Sequence, residues 1–286
     1  MLDLSPIERR EKLAPKEFKE AYLKPRKPVV FTDLMDNWVA KEKWNFEFFK
    51  EVHGDHLVPV YAGTGGKTKG YMQPDKIITF REYITSIENG ENNYRMFLFN
   101  IAKEIPELTS DFNVPKELMP GFLKSFAFMF FGSKGSKVKL HFDLDMSHIF
   151  LNQFQGVKRV VLFPHKYSKN LYHHPFTVAS FIDVNNPDYE RFPALKYVKG
   201  YEVFLQPGET VFIPSGVWHY VEYTEASFSI NNRANDSMLG RMNGLYQIAK
   251  HYTVDRGMNT LLGQKWRDIK SDLADKRAEK AILNEV

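Results

Sequence analysis

The sequence of 286 residues contains no cysteine. Disulfide bonds, thiolate metal sites and cysteine nucleophiles are therefore excluded. The sequence also has no run of about 18 apolar residues, the length that spans a bilayer, and its first residues lack the apolar segment of a secretory signal. We therefore expect a soluble cytoplasmic protein without membrane segments.

A strong excess of charge of one sign is also missing. The 39 Lys and Arg residues face 35 Asp and Glu residues, which gives a net charge of +4. This mild balance neither requires nor excludes a polyanionic partner. Residues 132–139 and 264–280 are rich in lysine and arginine, but the second segment alternates with acidic residues, which is typical of a solvated helix face. RNA binding is therefore the less favoured alternative, behind a protein or small-molecule substrate.

The chain divides into a long β-rich part and a helical end. Residues 121–235 contain about eight short strand patterns separated by glycine and proline, which predicts a sandwich or barrel rather than alternating strands and helices. We assign residues 1–235 to one catalytic domain with an N-terminal extension of helices and strands. Residues 236–286 carry apolar residues at helical spacing and form a C-terminal helical segment.

A candidate metal site begins in the stretch KVKLHFDLDMSHIF, residues 137–150. Side chains two residues apart on a strand share a face, so His141 and Asp143 can contact the same ion. This pair alone is weak evidence for a metal site, because a His-x-Asp triplet also arises by chance. His219, 76 residues beyond Asp143 (219 − 143), follows two punctuated turns that predict two hairpins, which would bring it onto a neighbouring strand. Two histidines and one carboxylate with open positions form the facial triad of non-haem Fe(II) oxygenases.

The other histidines fit the metal site less well. His148 lies beyond a predicted turn, so we expect it to neighbour the ligands or to contact substrate rather than to bind the ion. His173 and His174 precede a proline in a polar stretch, and we expect them at the surface. Phe126, Phe128 and the other aromatic residues of residues 97–131 are predicted to lie in the core.

The segments LHFD, FQGVKRVVLFPH, PGETVFIPSGVWHYV and FSINNR occur in the order found in the jumonji-C, or cupin-like, oxygenases. The chain resembles that family over most of residues 25–235, in particular its small hydroxylases. The resemblance implies a mainly β fold with flanking helices, namely a double-stranded β-helix (jelly-roll) barrel. It also implies Fe(II), 2-oxoglutarate and O2 as cofactor and co-substrates. The expected reaction is hydroxylation of a C–H bond on a protein side chain, a tRNA base or a small molecule, with succinate and CO2 as co-products; demethylation is less favoured.

The resemblance extends to residues that bind the co-substrate. Lys158, after Gly156, matches the lysine that pairs with the distal carboxylate of 2-oxoglutarate, and a lysine on an apolar strand needs an anionic partner if it is buried. Asn231 matches an asparagine near the co-substrate. Arg233, farther along the same face, is a candidate contact for a carboxylate or for substrate.

This chain departs from the family pattern at three points. The asparagine common on the strand after the first two ligands is not clearly present, because His148 or Ile149 occupies that region. Val138 stands where a threonine is common, so one hydrogen bond to the co-substrate must be missing or come from elsewhere. Lys158 lies two residues later than usual, which keeps its strand parity, and we expect the preceding hairpin to be longer.

Two other functions remain open. One is a different metal-binding cupin, such as a zinc isomerase, although the lysine after Gly156 favours the oxygenase. The other is a cupin-like binding module without catalysis, although the intact triad argues against it. The C-terminal helices resemble the dimerising helices of related hydroxylases, which makes a homodimer a further expectation.

Overall fold

The computed structural model describes residues 1–62, 73–91 and 93–283. Strand-forming segments occur where the β-rich patterns predict them, including all eight in residues 121–235. Within the described residues the strands are β1 Asp3–Pro6, β2 Arg9–Arg10, β3 Val29–Phe31, β4 Leu57–Ala62, β5 Lys76–Thr79, β6 Tyr94–Asn100, β7 Gly121–Gly132, β8 Lys137–His141, β9 His148–Gln155, β10 Lys158–Phe163, β11 Lys199–Leu205, β12 Thr210–Ile213, β13 Trp218–Tyr223 and β14 Ser227–Asn235.

Helices flank the strands at both ends of the chain. They are α1 Pro15–Phe18, α2 Val39–Lys43, α3 Phe46–Val52, α4 Phe80–Glu88, α5 Ile101–Glu104, α6 Met238–Lys250, α7 Arg256–Leu262 and α8 Gln264–Ile282, with π-helical turns at Lys19–Leu23 and His251–Asp255 and 3-10 turns at Pro106–Ser110, His165–Ser168 and Pro193–Tyr197. The residues at the first turn determine where a helix begins. For example, Thr79 and Glu82 form a reciprocal capping box at the first turn of α4.

Two sheets pack face to face. The five-stranded sheet has the order β1-β11-β10-β13-β8, and the nine-stranded sheet has the order β2-β3-β12-β9-β14-β7-β6-β4-β5. One buried apolar cluster joins side chains of both sheets, such as Val160 and Val221 from the first and Ile149 and Leu151 from the second. This interior layer makes the barrel, and the mainly β, jelly-roll architecture predicted from the sequence is confirmed.

The predicted hairpins around β12 are wrong. β11 and β13 belong to the five-stranded sheet, whereas β12 belongs to the other sheet. The turns at Pro207-Gly208 and Pro214–Gly216 therefore carry the chain from one sheet to the other. The sequence could not show this, because a tight turn has the same residues whether the next strand pairs with the last one or packs against it.

The predicted hairpin between β9 and β10 is wrong for the same reason, since these strands also lie in different sheets. The crossing occurs at Gly156, which has a φ of +67°. A Cβ at Gly156 would lie 2.2 Å from the carbonyl oxygen of Ala226, so only glycine fits. Lys158 starts the next strand immediately after this crossing.

The outer face of the nine-stranded sheet is covered by the N-terminal helices. Phe131 and Phe228 stack with ring centroids 4.7 Å apart, and Phe49 of α3 packs on both rings at 5.6 and 5.5 Å. The sequence pattern of β14 predicts this arrangement, because Phe228 and Ile230 share the face opposite to Ser229 and Asn231. A fully buried phenylalanine contributes roughly 1.5–3 kcal/mol, so this aromatic layer fixes β14 firmly.

The C-terminal helices differ in how they pack. α8 places Ala278 and Ile282 against the outer face of the five-stranded sheet. A buried ion pair of 2.6 Å between Lys270 and Asp255 ties α8 to the preceding π-helical turn. α6 packs closely on the loop after β8 at Gly244, where a Cβ would lie 2.0 Å from the carbonyl oxygen of Asp145. The division of the chain at residue 236 remains a prediction.

No helix in the described ranges combines the length and the apolar character that a bilayer crossing requires.

Candidate metal centre

The barrel brings His141 and His219 side by side. β8 and β13 are antiparallel neighbours, and these two histidines are direct partners in their register. Their ring centroids are 4.1 Å apart. His219 is therefore on the strand next to His141, as the sequence predicts, although it arrives there by sheet crossings and not by hairpins. Asp143 follows the end of β8 by two residues.

The three side chains direct ligand atoms toward one point. The Nε2 atoms of His141 and His219 lie 3.7 and 3.9 Å from Oδ1 of Asp143, and all three ligand atoms lie within 4.8 Å of one another. The Nδ1 atoms contact the carbonyl oxygens of Lys139 at 2.8 Å and Val217 at 3.1 Å. These contacts orient both rings and leave Nε2 for an ion, which is the usual arrangement of metal-binding histidine. The donor set fits Fe(II).

Arg233 organises the carboxylate. One of its terminal nitrogens, Nη1, lies 2.7 Å from Oδ2 of Asp143 and also contacts Asp145 at 2.9 Å and Ser147 at 3.0 Å. Burial alone would raise the pKa of Asp143, but Arg233 and the two histidines together lower it to about 2. Burial also lowers the pKa of His219 to about 4. At neutral pH the site therefore offers a carboxylate and a neutral His219 imidazole, as metal binding requires.

Lys158 lies inside the same barrel and is buried. Its Nζ contacts Oγ of Ser229 at 2.5 Å and lies 4.5 Å from the ring centroid of Tyr223. Among the residues that the structure describes, no carboxylate forms an ion pair with it. Burial lowers the pKa of Lys158 well below its ordinary value of 10.5. A buried lysine without an acidic partner is costly, so this position is prepared for an anion that comes from outside the chain.

Asn231 and Ser227 add unused polar atoms to this interior. In the described part of the chain, Oδ1 of Asn231 and Oγ of Ser227 are buried and have no hydrogen-bond partner. Buried polar atoms are rarely left without a partner, so these two atoms are available to a ligand. Val138, which stands where the family commonly has a threonine, packs in the interior apolar cluster and supplies no hydrogen bond.

His148 is not brought to the triad. Its Nδ1 accepts a hydrogen bond from the backbone N–H of Ser215, and its Nε2 lies 3.4 Å from Asp236. The imidazole stacks on Phe212 at 5.6 Å, and Phe150 two residues along the strand belongs to the outer apolar layer. His148 therefore occupies the outer face of β9, away from the interior face that carries Ile149.

Two surface and core predictions need correction. His173 and His174 are both partly buried rather than free at the surface. His173 lies beside Phe142 and Trp218, at 5.4 and 5.2 Å, and His174 lies 4.6 Å from the ring of Phe181. Phe126 is 46% exposed, although it is predicted to lie in the core. Phe128, on the same face of β7, lies 5.9 Å from the guanidinium carbon of Arg233. Phe126 lies 6.0 Å from Phe128, so the two phenylalanines form an aromatic surface that extends to Arg233.

A jelly-roll barrel that directs two imidazoles and one carboxylate to a common point defines a candidate metal-binding cupin. The chain belongs to the family described as the cupin-like domain, whose profile matches residues 15–233. This match confirms the predicted jumonji-C and cupin-like relationship, which is consistent with the Fe(II)- and 2-oxoglutarate-dependent oxygenase superfamily.

Curated relatives support the same placement. The chain is 30% identical over 224 residues to lysine-specific demethylase 8 of Xenopus tropicalis, covering 75% of this chain and 49% of the relative. It is 31% identical over 242 residues to JmjC domain-containing protein D of Dictyostelium discoideum, covering 75% and 53%. It is 29% identical over 238 residues to lysine-specific demethylase JMJ30 of Arabidopsis thaliana, covering 79% and 54%. The chain thus spans about half the length of the curated relatives it matches.

Several residues of the site were missed from the sequence. Asp145 and Ser147 join Arg233 only because the loop after β8 turns back, with Met146 at a positive φ of 51°. In the sequence, nothing distinguished Tyr223 from the other aromatic residues of the predicted strands. The one available signal was Ser229, which alternates with Phe228 and Ile230 and so marks a polar interior face of β14.

Proposed function

We propose that this chain is an Fe(II)- and 2-oxoglutarate-dependent oxygenase that hydroxylates a C–H bond. The observation that carries the proposal is that one barrel contains both the His141, Asp143 and His219 cluster and the buried cation of Lys158. A metal cluster alone would fit many cupins. A buried lysine without an acidic partner fits a co-substrate that brings a second carboxylate.

The residues of this chain have separate tasks in the proposed reaction. His141 and His219 would hold Fe(II) through Nε2, and Asp143 through Oδ1. The bound iron supplies activation of O2, coupled to decarboxylation of 2-oxoglutarate to succinate and CO2. Lys158 holds the distal carboxylate of the co-substrate, and Arg233 keeps Oδ1 of Asp143 directed at the metal.

The remaining interior residues shape the space around the co-substrate. Asn231 lies on the same face of β14 as Ser229 and Arg233, between the lysine and the triad. Its unpaired Oδ1 and its amide nitrogen are suited to orient the co-substrate between these two anchors. The apolar neighbours, such as Val138 and Val221, exclude water from this part of the barrel.

The substrate class is part of the proposal. We favour a protein side chain over a tRNA base or a small molecule, because relatives named as lysine-specific demethylases act on protein. The exposed ring of Phe126 lies 6.0 Å from Phe128, which lies 5.9 Å from the guanidinium carbon of Arg233, and it offers such a side chain an aromatic contact. Hydroxylation is proposed over demethylation, although the same chemistry on an N-methyl carbon would remove that methyl group. A cytoplasmic location stays a prediction.

The test is anaerobic addition of Fe(II) and then 2-oxoglutarate to the purified protein. We expect a charge-transfer band in the visible spectrum that is lost in Asp143→Ala. Asp36→Ala removes an exposed carboxylate as a matched control and should keep the band. A protein that binds Fe(II) but gives no band with 2-oxoglutarate would instead be another metal-binding cupin or a binding module, and the oxygenase proposal would be wrong.

We also propose that the chain forms a homodimer through α6. Large apolar side chains of this helix are exposed at helical spacing, among them Leu239, Met242, Leu245 and Tyr246. A monomeric protein rarely exposes an apolar surface of this kind without a partner. A second copy of the same helix would cover it.

A further inference from the structure

Arg95 is a second cation near the barrel interior, and the described residues provide no acceptor for its Nε. It lies in β6, directly opposite Gly132 of β7 and Tyr61 of β4. Its Nε is buried and has no hydrogen-bond partner, and no ion pair of Arg95 occurs in the described ranges. Its guanidinium carbon lies 5.6 Å from the ring centroid of Phe97. An arginine carries five N–H donors, so leaving a buried one unused costs free energy unless a ligand accepts it.

Gly132 connects the surroundings of Arg95 to the barrel interior. It pairs with Arg95 on one side and with Ser227 of β14 on the other, so the three residues form one row on one face of the sheet. The ring of Tyr223 lies across this row, because a Cβ at Gly132 would be 2.7 Å from its Cε1 atom. Any other residue at Gly132 would displace Tyr223.

The ring of Tyr223 connects the surroundings of Arg95 with those of Lys158. Burial raises the pKa of its phenol to about 12. The ring lies over Gly132, the direct strand partner of Arg95, and so it borders the row of residues that carries the Arg95 side chain. The ammonium of Lys158 lies 4.5 Å from the centroid of the same ring. Arg95 and Lys158 therefore border one tyrosine ring. We call Arg95, Lys158, Tyr223, Ser227 and Ser229 the two-cation pocket.

The charge of this pocket requires an anion. The guanidinium of Arg95 adds a positive charge on the sheet face that the Tyr223 ring covers, and the ammonium of Lys158 lies on the same ring. Neither side chain has an acidic partner among the described residues, and a carboxylate held at the Tyr223 ring would accept N–H groups from both. A guanidinium can also bind a carboxylate with two parallel hydrogen bonds, which an ammonium cannot do.

We propose that Arg95 is a second anchor for the distal carboxylate of 2-oxoglutarate, which it grips together with Lys158. This inference rests on the proposed function and adds to it a residue that selects the co-substrate. The two-cation pocket would discriminate strongly in favour of 2-oxo acids that carry a second carboxylate, because a 2-oxo acid with an apolar end would leave both cations unpaired.

The test compares two ligands and two variants by anaerobic calorimetry on protein loaded with Mn(II), which does not start turnover. The ligands are 2-oxoglutarate and 2-oxovalerate, which lacks the distal carboxylate. Loss of a charge-assisted hydrogen bond costs about 1.5–3 kcal/mol, so Arg95→Met should weaken 2-oxoglutarate binding by about 10- to 100-fold. Binding of 2-oxovalerate should not weaken. The matched control Arg191→Met removes an exposed arginine that also lies on a phenylalanine ring and should change neither.

The outcomes separate this inference from the proposed function. If the wild-type protein loaded with metal does not bind 2-oxoglutarate, both fail. If the wild type binds it and Arg95→Met binds it equally well, or weakens both ligands to the same extent, only the role of Arg95 is overturned. Should Arg95→Met lose its cooperative thermal transition, Arg95→Lys decides by the same comparison. Arg95→Lys keeps the positive charge but lacks the planar guanidinium. We therefore expect its affinity for 2-oxoglutarate to fall several-fold while its affinity for 2-oxovalerate stays unchanged. An equal change for both ligands would refute the inference.

Discussion

Arg233 binds the carboxylate oxygen of Asp143 that the two histidines leave free. Its Nη1 lies 2.7 Å from Oδ2, whereas the Nε2 atoms of His141 and His219 approach Oδ1. The guanidinium therefore holds the carboxylate in the orientation that a shared ion needs. Asp145 sits on the same guanidinium at 2.9 Å and keeps Arg233 itself in place.

Replacing Arg233 should weaken the metal site without removing a ligand. We expect Arg233→Met to lower Fe(II) or Mn(II) affinity by about 10- to 100-fold, as is usual when a residue that orients a metal ligand is lost. Anaerobic calorimetry with Mn(II) measures the change. Arg233→Lys should retain part of the affinity, because it keeps the charge beside Asp143. Unchanged or tighter binding in Arg233→Met would show that the guanidinium does not orient the ligand.

The strands and the triad were predictable because they depend on short-range pattern. Strand alternation suggested that His141 and Asp143 act together, although Asp143 lies two residues beyond the end of β8. The turns before His219 were recognised, but they bring it to the strand next to His141 by sheet crossings and not by the predicted hairpins. The direction of the chain after each turn was not predictable, because it depends on which sheet the next strand joins. His148 shows the consequence: the loop after Asp143 sets the facing of β9, and its fold places His148 outside and Ile149 inside.

Contacts between strands that are far apart in the chain could not be predicted from the sequence either. The sequence around Arg95 has the pattern of a buried strand. Only the pairing of Arg95 with Gly132 shows that its side chain lies on the same face of the sheet as Ser227. Asp145 had no signal at all, since its contact with Arg233 spans 88 residues and depends on a turn at Met146. The candidate ligands were thus predictable, whereas most residues that position them were not.

Lys158 should reduce the stability of the ligand-free protein. Replacing a buried unpaired charge with an apolar residue of similar size is often stabilising by about 1–4 kcal/mol. We expect Lys158→Met to unfold at a higher denaturant concentration than the wild type and to lose 2-oxoglutarate binding, while Mn(II) binding stays. Chemical denaturation and calorimetry measure both effects. A variant that is less stable than the wild type would mean that Lys158 is already satisfied by Ser229 and needs no external anion.

The cost of burying Lys158 should depend on pH. Its pKa in the folded chain lies well below the ordinary value of 10.5, so between these two values the unfolded chain binds a proton that the folded chain does not. Stability contributed by this group therefore rises with pH through that window. The advantage of Lys158→Met over the wild type should shrink as the pH increases toward 10.5. Denaturation curves of both proteins between about pH 7 and about pH 10 test this, and a constant difference would contradict it.

The exposed face of α6 leads to a prediction about assembly. If a second copy covers Met242 and Leu245, replacing both with glutamate should convert a dimer into a monomer, because burying two charges in an apolar interface is costly. Light scattering at micromolar protein concentration measures the mass. Asn37→Glu and Asn113→Glu together serve as the control, because they also add two negative charges at exposed positions that are far from α6 in the chain. A wild-type protein that is monomeric under these conditions would rule out the homodimer. A double variant that stays dimeric would instead place the interface elsewhere, for example on the exposed Leu261 of α7.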